Sequence, residues 1–205
     1  MMALSGSVGA VFIQTEDAPI SFEDEPTVAN ESYTSYTIAN EILRYWAKNS
    51  EVLVKVNGSP ITQGFSVEYC GGVVVFQTPR SQEDVVTVSG MSLLVGQHGG
   101  FFNWSADLEM DTSDVTTFQS GGWKENLPTI KGFSASAEKY WGDAEFFSRL
   151  GQEIIVALYV DSSTSQRRYE GYGIISSDGI ETAVEEVINE SIEIQGTGPL
   201  YYREG

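Results

Sequence analysis

The stretch ADLEMDTSDVTTFQSGGWKE, Ala106 to Glu125, decides the fold. In an extended chain successive side chains point to opposite faces, so Ala106, Leu108 and Met110 share one side and Asp107, Glu109 and Asp111 the other. This alternation predicts a strand with one wet face. Gly121-Gly122 then marks a turn, followed by Trp123. The acids have three possible meanings: a catalytic pair, a calcium loop, or a charged surface.

Outward from this stretch the pattern stays at period two. FFNWSADLEM leads in from Phe101, and GFSASAEKYW (Gly132–Trp141) follows as a strand of small residues ending in aromatics. EVLVKVNGS (Glu51–Ser59) predicts a strand closed by an Asn57-Gly58 turn. GFSVEYCGGVVVFQT (Gly64–Thr78) predicts a hairpin closed at Gly71-Gly72, and DVVTVSG (Asp84–Gly90) another strand. QEIIVALYVD, RRYEGYGIISS and ESIEIQG predict three more between Gln152 and Gly196.

Two helices are expected. SYTIANEILRYWAKN (Ser35–Asn49) places Ile38, Ile42 and Tyr45 or Trp46 on one face, with Ser35 or Thr37 as cap and Lys48 in the last turn. DAEFFSRLG predicts a short second helix between Asp143 and Gly151. Residues 1–33, acidic and holding Pro19 and Pro26, are expected to form a flexible N-terminal arm ahead of a single domain over 34–205. The fold class is mainly β, a sandwich or barrel with one packed helix and a short second one.

The candidate chemistries are weak. Asp107 and Glu109 share a strand face as a glycosidase pair would, yet no partner motif marks a cleft. DLEMDTSD lacks the glycine and the final glutamate of an EF-hand loop, which leaves only a surface calcium site of another kind. No GxxxxGK[ST] phosphate loop and no GxSxG elbow occurs. Cys70 and His98 are single, so an internal disulfide and a multi-cysteine zinc site are excluded. Trp104, Trp123, Tyr140 and Trp141 suit a sugar-stacking platform, but aromatics of this kind more often fill a core, which is the expectation here.

Charge is the loudest bulk signal, with 29 acids against 11 bases and a net charge of −18. No base precedes Arg44, while seven acids do. Affinity for nucleic acid comes from clustered Lys and Arg, so this chain is expected to repel DNA. No apolar run reaches the length of a membrane span, and the start lacks the basic and apolar segments of a signal peptide. No cofactor or metal is expected.

The run ADLEMDTSDVTTFQSGGWKENLPTIKGFSASAEKYW resembles the major tail, or tail tube, proteins of long-tailed bacteriophages. These carry an acidic strand, a DVTTF segment, Gly-Trp-Lys-Glu, a Pro turn and a strand of small residues ending in an aromatic pair. ESIEIQGTGPLYY looks like the family's last strand, and VEYCGGVVVFQ followed by DVVTVSG is similar to its middle. Together these segments span roughly residues 50 to 200.

The resemblance implies a structural protein without catalysis: a β-sandwich subunit forming rings, usually hexamers, that stack into the tube through which the genome leaves. It implies partners within the virion tail: further copies of the chain, and tape measure, terminator and baseplate proteins. Assembly is expected in the bacterial host cytoplasm, with DNA passing without specific binding. Asp107, Glu109 and Asp111 are the candidates for the lumen-facing surface. Two alternatives are a terminator or baseplate ring and a calcium-dependent carbohydrate-binding sandwich using Trp104 or Trp123.

Overall fold

The computed structural model describes residues 9–15 and 18–204. Strands make up 56% of the described residues, arranged in two curled sheets, so the mainly-β expectation holds. The strands run β1 (Ala10–Gln14), β2 (Ile20–Ala29), β3 (Ser35–Ile38), β4 (Leu53–Val56), β5 (Ser59–Ile61), β6 (Phe65–Glu68), β7 (Val73–Phe76) and β8 (Val86–Ser92). They continue with β9 (Val95–Gln97), β10 (Phe101–Asp114), β11 (Asn126–Tyr140), β12 (Glu153–Asp161), β13 (Arg167–Glu181), β14 (Asn189–Gly196) and β15 (Tyr201–Arg203). A four-residue helix, α1 (Glu145–Ser148), precedes β12. Among the described residues, no helix is long and apolar enough to cross a membrane.

Where one domain over 34–205 is expected, the chain forms two compact units: residues 1–12 with 97–205, and residues 13–96. The first unit is built on the sheet β10-β11-β14-β13-β12-β1-β9, with β15 added beside β13. Its inner strand β12 is buried continuously from Ile154 to Tyr159, the run expected of a strand covered on both faces. Phe133 lies against Gly171 and Gly196, where an added Cβ would come within 2.9 and 2.4 Å of its ring. Those glycines are small because a phenylalanine occupies their side-chain space.

The second unit carries the sheet β5-β4-β8-β2-β3-β7-β6 and its own core, including Phe22, Tyr36, Ile38, Leu43, Trp46, Val54, Val74, Phe76 and Val88. The Asn57-Gly58 turn has positive φ at both residues, 51° and 77°, as a tight hairpin turn requires. β6 and β7 pair as predicted, from Phe65↔Phe76 to Glu68↔Val73.

Two expectations fail here. The helix over Ser35–Asn49 is absent: Ser35–Ile38 is strand β3, Glu41–Leu43 is a single 3-10 turn, and Trp46 bridges to Ser92. The backbone partners lie just past the ends of β6 and β8, with Trp46 N–H donating to Tyr69 O at 2.9 Å and Leu93 N–H to Tyr45 O at 2.7 Å. The helical face required Ile42 inside, yet Ile42 is 69% exposed while Trp46 is fully buried. Tyr36, Thr37 and Ile38 are strand formers, and the pleated surface they meet overrides the helical period.

The described part of residues 1–33, expected to be a flexible acidic arm, instead supplies β1 and β2; residues 1–8, 16 and 17 lie outside the described residues. A bulge hides β2 in the sequence. The register with β8 shifts between Phe22 and Glu25, and Asp24 takes φ 50°. Phe22 therefore turns into the core beside Trp46, and Asp24 turns out to Lys55, 2.7 Å away.

Candidate functional site

β10 and β11 form one long antiparallel hairpin paired from Phe101↔Lys139 to Asp114↔Asn126. Only the base of this hairpin belongs to the sheet. β11 pairs with β14 from Ser134 to Tyr140, and β10 is an edge strand, so residues 126–133 pair with β10 alone. Among the described residues, the outer half has no strand beside it other than its own partner, and its side chains are exposed.

The tip is nevertheless an ordered turn. Val115 N–H donates to Glu125 O at 2.9 Å, Thr117 N–H to Ser120 Oγ at 3.0 Å, and Trp123 N–H to Ser120 O at 3.1 Å. Gly121 and Gly122 take φ 63° and 87°, which only glycine adopts cheaply. The hydroxyl and backbone N–H of Thr116 hold the Asp114 carboxyl below its ordinary range. This frame displays Phe118 and Trp123 outward, 106% and 80% exposed, with Leu108, Met110, Leu127 and Ile130 exposed along the strands.

The three sequence-predicted acids all lie on β10 and are exposed. Asp107 and Glu109 share the face of Ser134 and Gly132, their cross-strand partners. Asp107 also lines a shallow concavity of about 240 Å³ with Ser105, Ser134, Ser136, Ser176, Glu193 and Gln195. Ser105 and Ser136 are hydrogen-bonded across it at 2.9 Å. The surface is thus hydroxyl-rich and acidic, without a lysine or arginine in the lining. Asp111 sits at the register shift between Met110 and Thr112, where its carbonyl accepts from Thr129 Oγ1 at 3.0 Å.

The aromatics expected in the core are mostly outside it. Trp104 is half-buried, whereas Trp123, Tyr140 and Trp141 are exposed. Trp104 stands at the hairpin base and Trp123 beyond its far end. Ten strand residues at about 3.3 Å each put about 30 Å between these ends, so the two cannot form one sugar platform. Cys70 is buried in the second unit, and His98 pairs with Glu145 at 3.0 Å in the first. Among the described residues, no three His, Cys, Asp or Glu side chains cluster to hold a metal ion.

Phe118 and Ile130 were not singled out by sequence. Their signal was apolar residues set in an otherwise polar turn and strand end, TTFQSGGWKENLPTI.

No protein-family model matches the chain, and no curated protein matches it. Solved structures to which the chain is similar include two from gene transfer agents. The tail of an empty gene transfer agent particle with C6 symmetry is 18% identical, with a TM-score of 0.44, covering 54% of this chain and 87% of that one. The virion of a native gene transfer agent particle is 18% identical, with a TM-score of 0.44, covering 53% and 88%.

Proposed function

We propose that this chain is a structural subunit of a bacteriophage-type tail tube, assembling into rings of six that stack into a conduit for DNA. The observation that carries the reading is the outer half of the β10–β11 hairpin: an ordered turn on paired strands with exposed apolar side chains, Phe118 and Trp123 foremost. Large apolar side chains exposed together on one element suit an assembly contact. Burying each large side chain would contribute about 1.5–3 kcal/mol. The free edge of β10 adds a row of unpaired backbone groups suited to a strand from a neighbouring copy.

The acidic, hydroxyl-rich face around Asp107 suits the inner wall. Carboxylates repel phosphates, and screening limits this to about 8 Å in physiological salt, so DNA slides past without adhering. No catalytic step is part of this reading.

Negative-stain electron microscopy beside light scattering, across a concentration series, tests it. Uniform rings and tubes are expected; a monomer at every concentration, with and without tail initiator proteins, overturns it. Rings that never stack would favour a terminator or baseplate part. Asp107→Lys, Glu109→Lys and Asp111→Lys together should leave tubes intact and slow genome ejection. Unchanged ejection would place these acids away from the lumen.

A further inference from the structure

Lys139, Asp178 and Glu190 come from three adjacent strands, β11, β13 and β14. Lys139 is paired with Glu190, Glu190 with Ile180, and Ile192 with Asp178, which puts all three side chains on one face of the sheet. Lys139 and Glu190 are buried there, 3% and 1% exposed, and Asp178 beside them is half-buried with both carboxylate oxygens shielded from solvent. Lys139 Nζ lies 3.5 Å from Glu190 Oε2, and 4.9 and 5.9 Å from the ring centroids of Phe146 and Phe101.

The charges do not balance. Two carboxylates meet one ammonium, and none of the four carboxylate oxygens of Asp178 and Glu190 receives a hydrogen bond. An extra charge in an apolar layer costs several kcal/mol unless it is neutralised. The other charged groups around Phe146 are His98, Glu145 and Arg149. Glu145 lies 3.0 Å from His98 and 3.4 Å from Arg149, and Glu138 and Glu181 line a shallow concavity with Glu190. β10 contributes only the ring of Phe101 to the lysine. A proton on one carboxyl group turns two facing acceptors into a donor and an acceptor, and leaves one carboxylate against one ammonium.

We propose that Asp178 and Glu190 form a buried proton-binding site, holding one proton between them while Lys139 balances the remaining charge. Burial is the main cause that raises the Glu190 carboxyl above its ordinary value; Lys139 opposes it and Asp178 adds to it. The direction fixes the pH dependence. Stability from the bound proton is complete below the ordinary glutamate value of 4.5 and is lost as pH rises through the higher folded value. Because Lys139 lies on β11, loss of the proton strains the sheet at the root of the projecting hairpin.

The test uses the full chain, with denaturant unfolding from about pH 5 upward and infrared spectra of the carboxyl carbonyl stretch. In the window where the proton leaves, the wild-type unfolding constant should rise by up to about tenfold per pH unit relative to Glu190→Gln, which has no charge to lose. Above the ordinary carboxylate range but below the raised Glu190 value, where exposed acids are ionised, the wild type should show a protonated-carboxyl band at neutral-acid frequency. That band should be missing in Glu190→Gln and in Asp178→Asn, whose Lys139–Glu190 pair is already balanced. Parallel pH profiles with no such band in the wild type overturn the proposal. So does stabilisation of the wild type by Ca²⁺ or Mg²⁺ that Glu190→Gln abolishes, because a metal would then occupy the place of the proton.

Discussion

Asp161 shows how one carboxylate organises a loop. It accepts from Ser163 N–H and Oγ, Thr164 N–H, and Ser165 N–H and Oγ, all between 2.7 and 3.1 Å. The Ser165 hydroxyl is the largest cause, followed by Thr164 N–H and the Ser163 hydroxyl, and together they hold the Asp161 carboxyl far below the usual range. A depressed acid contributes stability that is present above its unfolded value and lost as pH falls through the folded one. Asp161→Ala should therefore lower the melting temperature at neutral pH, and the gap to wild type should close as pH falls below about 3.8. A gap that stays constant with pH would mean the carboxylate charge is not what orders the β12–β13 turn. Glu170 makes a different arrangement: fully buried, it is held by Arg168 at 2.7 Å and Arg203 at 3.0 Å, fastening β15 beside β13.

At the scale of elements, the hairpin is the part most open to experiment. Phe118→Ala with Trp123→Ala removes the two largest exposed rings at the tip without touching a buried side chain. The monomer should unfold within about 0.5 kcal/mol of wild type, as surface substitutions do. The critical concentration for polymerisation should rise at least tenfold, corresponding to about 1.4 kcal/mol or more of lost contact. Sedimentation across concentration reads it, and an unchanged threshold would remove the tip from the assembly contact. The hairpin strands were legible because their side chains alternate; how far they outrun the sheet was not. Nothing in Leu127 or Ile130 reveals that β14 stops pairing at Ser134. The same limit explains the failed helix. Ile38, Ile42 and Trp46 have helical spacing, but Gly72 closes on this segment, with space for a Cβ only 2.7 Å from Ile38 and 2.9 Å from the Arg44 backbone. That contact comes from a turn almost thirty residues away. Short α1 was legible because Asp143 accepts from Glu145 N–H at 3.0 Å and Gly151 ends the turn at φ 81°.

For the whole molecule, the division into two units sets the expected unfolding. Each unit owns a core, and Trp46 belongs to that of residues 13–96. Trp46→Ala should cost about 3–5 kcal/mol there, and calorimetry should show one transition moving down while the other stays. A single transition that shifts as a whole would show the units to be energetically one. The connection between them has a further consequence. The chain leaves through β1 and returns through β9, neighbours in one sheet, with Thr15 N–H bonded to Leu94 O at 2.9 Å and His98 N–H to Val11 O at 3.0 Å. Departure and return lie side by side, so a two- or three-residue turn would span the gap that about eighty residues now occupy. In genetic terms the middle of this gene is a cassette. Its two junctions fall at one place, between neighbouring strands, where a single splice would close the remainder of the chain.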